Sequence, residues 1–139
     1  MQGYENGYQA VKALTTANRR FKKISESFND VVDTWRSLAS KHLGSAVELD
    51  PPTVSSVTGK ALGQSFTATV SPRLLEDGVI GVLAVSKPGA NGKPVLCVTY
   101  LFSLNSDVLL EDGTTVVALD NPERDFLWLS HLVKAVLSK

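Results

Sequence analysis

Between Tyr8 and Leu43 apolar residues return every seven positions, and neither proline nor glycine interrupts the run. One seam reads Leu14, Phe21, Phe28 and Trp35; the other reads Ala10, Ala17, Ile24, Val31 and Leu38. Asn18, Arg19, Lys22, Glu26, Asn29 and Asp33 fill the polar side, so the pattern predicts one long amphipathic helix over residues 8–43. Lys41 and His42 suit the negative end of its dipole, and Gly44 follows as a stop. Thr15-Thr16 and Ser25 to Ser27 are its weakest points, because poor helix formers cluster there. At 1.5 Å per residue this helix measures about 54 Å, whereas a compact domain of this length spans roughly 37 Å. The surplus points to a surface for another protein or for a second copy of the chain. Leu14, Phe21, Ile24 and Phe28 are the expected partner-binding residues. Residues 1–7 precede the pattern and are expected to be disordered.

Asp50-Pro51-Pro52 halts regular structure, and residues 45–63 read as a connector within one domain. The period then changes to two. Phe66, Ala68 and Val70 alternate with Ser65, Thr67 and Thr69, which suits a strand with one wet face. Val79–Val85, Val95–Leu104 and Thr114–Leu119 complete a four-stranded antiparallel meander over residues 64–119, with Pro88 to Gly92 as the middle loop. Apolar residues on both sides of the central strands call for cover on both faces. The long helix supplies one cover, and the last helix or a neighbouring subunit supplies the other. That last helix, residues 121–138, has Asp120 or Asn121 as a cap, Pro122 in its first turn and an apolar face of Phe126, Leu129, Val133, Val136 and Leu137. The expected fold class is α+β, a single domain spanning residues 1–139.

Composition narrows the function classes. Fourteen basic and fourteen acidic residues balance, so no global field favours nucleic acid or an anionic membrane. A lone Cys97 excludes an internal disulfide framework and fits a reducing compartment. Met1 to Gly7 has neither the basic nor the apolar region of a leader, and no apolar run approaches membrane-spanning length. A cytoplasmic location is expected.

Candidate chemistry is sparse. Leu74-Leu75-Glu76-Asp77-Gly78 recurs letter for letter as Leu109-Leu110-Glu111-Asp112-Gly113. In a four-stranded meander both copies close connections at one end of the sheet, which brings Glu76, Asp77, Glu111 and Asp112 together as a possible cation site. Asp-Gly turn chemistry explains the same letters, with glycine at positive φ in each copy. Arg19, Arg20, Lys22 and Lys23 form the one basic cluster, with Glu26 spaced to pair with Lys22 or Lys23. His42 and His131 have no metal-ligand spacing, Ser130 beside His131 is no dyad, and Cys97 sits in an apolar strand. Gly89 to Lys93 lacks the spacing of a phosphate loop. No catalytic residue, metal or cofactor is expected. Phe28, Trp35, Tyr100 and Trp128 read as core rather than as a ligand pocket. The sequence therefore points to a non-enzymatic protein-binding module of adaptor, inhibitor, immunity or dedicated-chaperone type, acting through the long helix and a sheet surface and self-associating. A small-molecule carrier with a pocket between helix and sheet is the alternative, and nucleic-acid binding through Arg19–Lys23 the third.

Overall fold

In the computed structural model, which describes residues 6–76 and 78–138, the seven-residue stripe forms α1 (Gly7–Leu38). Asn6 caps it by accepting the Gln9 N–H at 2.9 Å, which satisfies one of the free donors of the first turn. Neither run of threonine or serine breaks the helix. It widens into a π turn at Ala39–Leu43 and tightens into a 3-10 turn at Gly44–Ala46. Gly44 makes the exit at φ 56°, where a side chain would be strained. The first five residues of the expected disordered segment lie outside the described residues.

The sheet has seven strands, not four. They run β1 (Val47–Leu49), β2 (Ser56–Ala61), β3 (Gln64–Leu75), β4 (Gly78–Pro88), β5 (Pro94–Phe102), β6 (Val108–Leu110) and β7 (Thr115–Val117). Every strand pairs antiparallel with its neighbour in chain order. Two of the extra strands lie in the expected connector. The inward positions of β2 are Val57, Gly59 and Ala61, too small to register as an apolar alternation. Their size is required, because a Cβ on Gly59 would stand 2.5 Å from the Glu48 carbonyl oxygen. Leu62 and Gly63, both at positive φ, close the tight turn from β2 into β3. The third extra strand, β6, is only three residues long.

α2 (Arg124–Leu137) and α1 cover the same face of the sheet. Their buried side chains join Phe66, Ala68 and Val70 of β3, Leu83 and Val85 of β4, and Tyr100 and Phe102 of β5 in one core. Trp35 donates its indole N–H to the Asp125 carbonyl at 2.7 Å and so ties the helices together. The opposite face keeps no helix. It carries Thr67 and Thr69 of β3 and a cross-strand row of Val82, Leu101 and Leu109. The expected cover on both faces is therefore replaced by two helices on one.

β3 and β4 outrun their neighbours. β2 pairs with β3 only as far as Thr69, and β5 pairs with β4 only from Gly81 onward. Arg73–Leu75 and Gly78–Ile80 therefore make a two-stranded arm beyond the sheet, and Pro72 sits just before it, where β3 has already lost its β2 partner and is an edge that tolerates proline. Such a hairpin is marginal in water without a second layer. Ala17 and Phe21 of α1 supply that layer, packing near Leu74 and Val79 at the edge of the core.

Candidate partner-binding site

The arm and the first half of α1 leave the body of the domain together and enclose an open cleft of about 500 Å³. From the helix come Gln9, Lys12, Ala13, Thr16, Ala17 and Arg20, spaced by three and four so that they share one face. From the arm come Leu74, Leu75, Glu76 and Gly78. The Arg20 guanidinium lies over Gly78, 3.2 Å from the position a Cβ would occupy there. Leu75 in this cleft is 41% exposed, and elsewhere on the first half of α1 Tyr8 is 78%, Val11 66% and Leu14 50% exposed.

The four partner-binding residues expected from the sequence separate along the helix. Leu14 stands half exposed on the overhang, and Phe21 is half-buried where the helix meets the sheet. Ile24 and Phe28 are buried in the chain's own core. Ile24 approaches so closely that a Cβ on Gly81 would meet its Cγ2 at 2.9 Å. Those two residues are thus withdrawn from any partner surface. Sequence reasoning missed Tyr8, Val11 and the arm leucines. Tyr8 and Val11 fall off the seven-residue seam, and Leu74-Leu75 was read as the start of a turn.

The basic cluster is less compensated than its spacing promised. None of Arg19, Arg20, Lys22 and Lys23 forms an ion pair with a described carboxylate, and the pairing expected of Glu26 is not made. With Lys12, five cations and no acid occupy residues 6–25. The first turn of α1 also carries no acidic residue to offset the dipole.

The repeated Leu-Leu-Glu-Asp-Gly segments do not meet as a four-stranded meander requires. β3 and β6 are three steps apart in an antiparallel sheet, so they run in opposite directions and their following turns face opposite ends. The strand β6 inside the second copy is the cause. Glu111 pairs instead with Arg73 at 2.7 Å, and Glu76 borders the cleft. The Asp112 carboxylate accepts the Thr114 N–H at 2.9 Å, a bond that holds its pKa below the ordinary value. Asp77 lies outside the described residues. Among those described, no three His, Cys, Asp or Glu side chains are placed to hold a metal. In the second copy Gly113 adopts φ 89°, as Asp-Gly turn chemistry requires, while Gly78 follows Asp77, itself outside the described residues.

The aromatic residues fill the space between helices and sheet. Trp35 and Trp128 meet edge to face at 5.2 Å, Phe102 lies 5.3 Å from Trp128, and Phe28 lies 5.7 Å from Trp35. Tyr100 and His131 share a 2.7 Å hydrogen bond between the phenol oxygen and Nδ1 at the rim of this cluster. Burial pushes the Tyr100 phenol up and the His131 imidazole down, so both favour their uncharged forms. Cys97 is half-buried and burial also raises its thiol pKa, which suppresses the reactive thiolate.

No known protein family, curated protein or solved structure matches this chain. Among the described residues no helix is long and apolar enough to cross a membrane.

Proposed function

We propose that the protein is a non-enzymatic binding module that docks another protein between the overhanging half of α1 and the β3–β4 arm. One observation carries this reading. An amphipathic helix continues past the sheet that buries it, leaving Leu14 half exposed and an open cleft between Ala13 and Ala17 on the helix and Leu74 and Leu75 on the arm. Tyr8 and Val11 are also in solvent on the same stretch of helix. Side chains of this size rarely gather at the surface without a use, because each forfeits roughly 1.5–3 kcal/mol of burial. Adaptor, inhibitor, immunity and chaperone roles all fit such a surface.

Self-association through paired overhangs is the less favoured form, because it sets two groups of five cations against each other. The aromatic cluster fills the interior, which leaves a small-molecule carrier only the open cleft itself. Among the described residues lining the cleft, no acid, base and nucleophile are assembled together. The test is site-specific photo-crosslinking, with a benzophenone side chain at Leu14 and a control at Thr67 on the helix-free face. Protein adducts at position 14, displaced by excess unlabelled protein and missing at position 67, are the expected result. Adducts at neither position, together with a small molecule retained in native mass spectra, would sink the reading.

A further inference from the structure

We infer that the segment received by this cleft is an acidic amphipathic helix of another protein, an inference that rests on the binding-module reading above. Two features of the same cleft converge on this chemistry. Its helical wall is cationic, with Lys12 and Arg20 lining it, Arg19 and Lys23 nearby, and no carboxylate between residues 6 and 25. Its floor and opposite wall are apolar, formed by Ala13, Ala17, Leu74 and Leu75. Small residues on the floor leave room for the larger side chains of a guest. Glu76 is the single described acid bordering the cleft and stands on the arm. A guest therefore turns its carboxylates toward α1 and its apolar stripe toward the arm leucines. Helix-in-groove recognition uses this arrangement of i, i+3, i+4 and i+7 anchors.

Geometry and charge separate this guest from its rivals. A flat anionic bilayer attracts a basic helix, but it cannot reach Ala13 and Ala17, which face the arm across the cleft. Nucleic acid would use the cations and leave the apolar wall unfilled. A second copy brings a basic overhang of its own, and like charges at contact distance repel. The full charge balance of the chain hides this asymmetry, because five of its fourteen cations lie within a single stretch of α1.

The probe is a synthetic peptide of about five helical turns, with leucines at helical spacing and glutamates elsewhere. Its companions are the same peptide with lysine for glutamate, a scrambled acidic version, phosphatidylserine-containing vesicles and single-stranded DNA. Binding is read from fluorescence anisotropy and from amide shifts of the isotope-labelled full chain. The acidic amphipathic peptide is expected to move resonances within residues 9–20 and 74–78. The Lys12→Glu plus Arg20→Glu variant, which keeps the parent melting temperature because both positions are exposed, should bind it roughly tenfold more weakly or worse. The lysine peptide should not bind the parent chain. Equal affinity for the scrambled peptide would reduce the site to a polyanion sink and overturn the inference. So would tighter binding of vesicles or DNA, or concentration-dependent dimerisation that blocks the peptide. If Leu14 adducts form but no acidic peptide binds, the inference fails while the binding module stands; if neither occurs, both fail.

Discussion

The two halves of α1 share one repeat and meet opposite fates. From Ile24 to Trp35 the seam is buried against the sheet and α2, and Phe28, Val32 and Trp35 retain almost no accessible surface. From Tyr8 to Ala17 the stripe runs beyond the core: Ala17 lines an open cleft together with Lys12, Ala13 and Thr16, while Leu14 stands half exposed. A heptad stripe therefore states that a helix has an apolar side, not that its own domain will cover that side. Coverage stops where the sheet stops, and beyond Gly81 only the two-stranded arm continues.

The strongest way to break this comparison is to truncate both halves. Phe28→Ala and Trp35→Ala should each lower unfolding free energy by about 3–5 kcal/mol in urea titrations, with Trp35 also losing its bond to Asp125. Leu14→Ala should stay within about 0.5 kcal/mol, because half of that side chain is already in water. Comparable losses at Leu14 and Trp35 would mean that the overhang folds back onto the domain. The boundary between the halves can be tested at the next level of effect. Gly81→Ala forces a methyl group into Ile24 and Phe102 and should cost about 1–3 kcal/mol, with the apparent helix content unchanged.

The repeated segments sharpen the same contrast at a smaller scale. Gly113→Ala should cost about 1 kcal/mol, since φ 89° strains any Cβ. Gly78→Ala should cost less than about 0.5 kcal/mol, because its new methyl meets only the free end of Arg20. Equal losses would show that Arg20 is fixed in place rather than mobile on the overhang. At the far end of the core, Lys87 donates to the Val136 and Ser138 carbonyls and closes α2. Lys87→Met should cost about 1 kcal/mol and speed amide exchange in the last turn of α2 while leaving α1 unchanged.

The finest separation is by pH. Burial lowers the folded pKa of His131 below its ordinary value of 6.5, with Lys134 adding a smaller push in the same direction. Above that value both folded and unfolded chains hold the imidazole neutral, and the stability is fully present. As pH falls below it, the unfolded chain takes up the proton first, so stability declines until the folded pKa is passed. Melting temperatures recorded downward from neutral pH should show this decline in the parent chain and a flatter profile in His131→Phe. Lys12→Met and Arg20→Met, both at exposed positions of the overhang, should leave the profile's shape unchanged. A profile that responds to the overhang but not to His131 would reverse the assignment.

Much of the architecture was legible because periodicity survives in the local sequence. The long helix, the terminal helix and the antiparallel character of the middle strands all followed from spacing. The short strands were not legible. Gly59 and Ala61 look like loop residues until Glu48 and Phe66 are known to press against them, and β6 is too short to show a period. α2 likewise begins later than its cap residues suggested, at Arg124, with the Asn121 side chain accepting the Glu123 N–H one turn earlier. The basic wall of the cleft could be read as a charge run, yet its lack of partners depended on where Glu26 points.

By itself the sequence determined that this chain contains a long two-sided helix, a meander and a second helix, because alternation of apolar and polar residues dictates how each segment must lie. Only the tertiary structure decided how many strands the meander has, that both helices share one face, and which part of the stripe remains open. Those outcomes depend on strand parity, on the reach of β3 and β4 past their neighbours, and on the small residues that let backbones approach. Burial is a property of the neighbours a residue acquires, and spacing along the chain does not encode where those neighbours end.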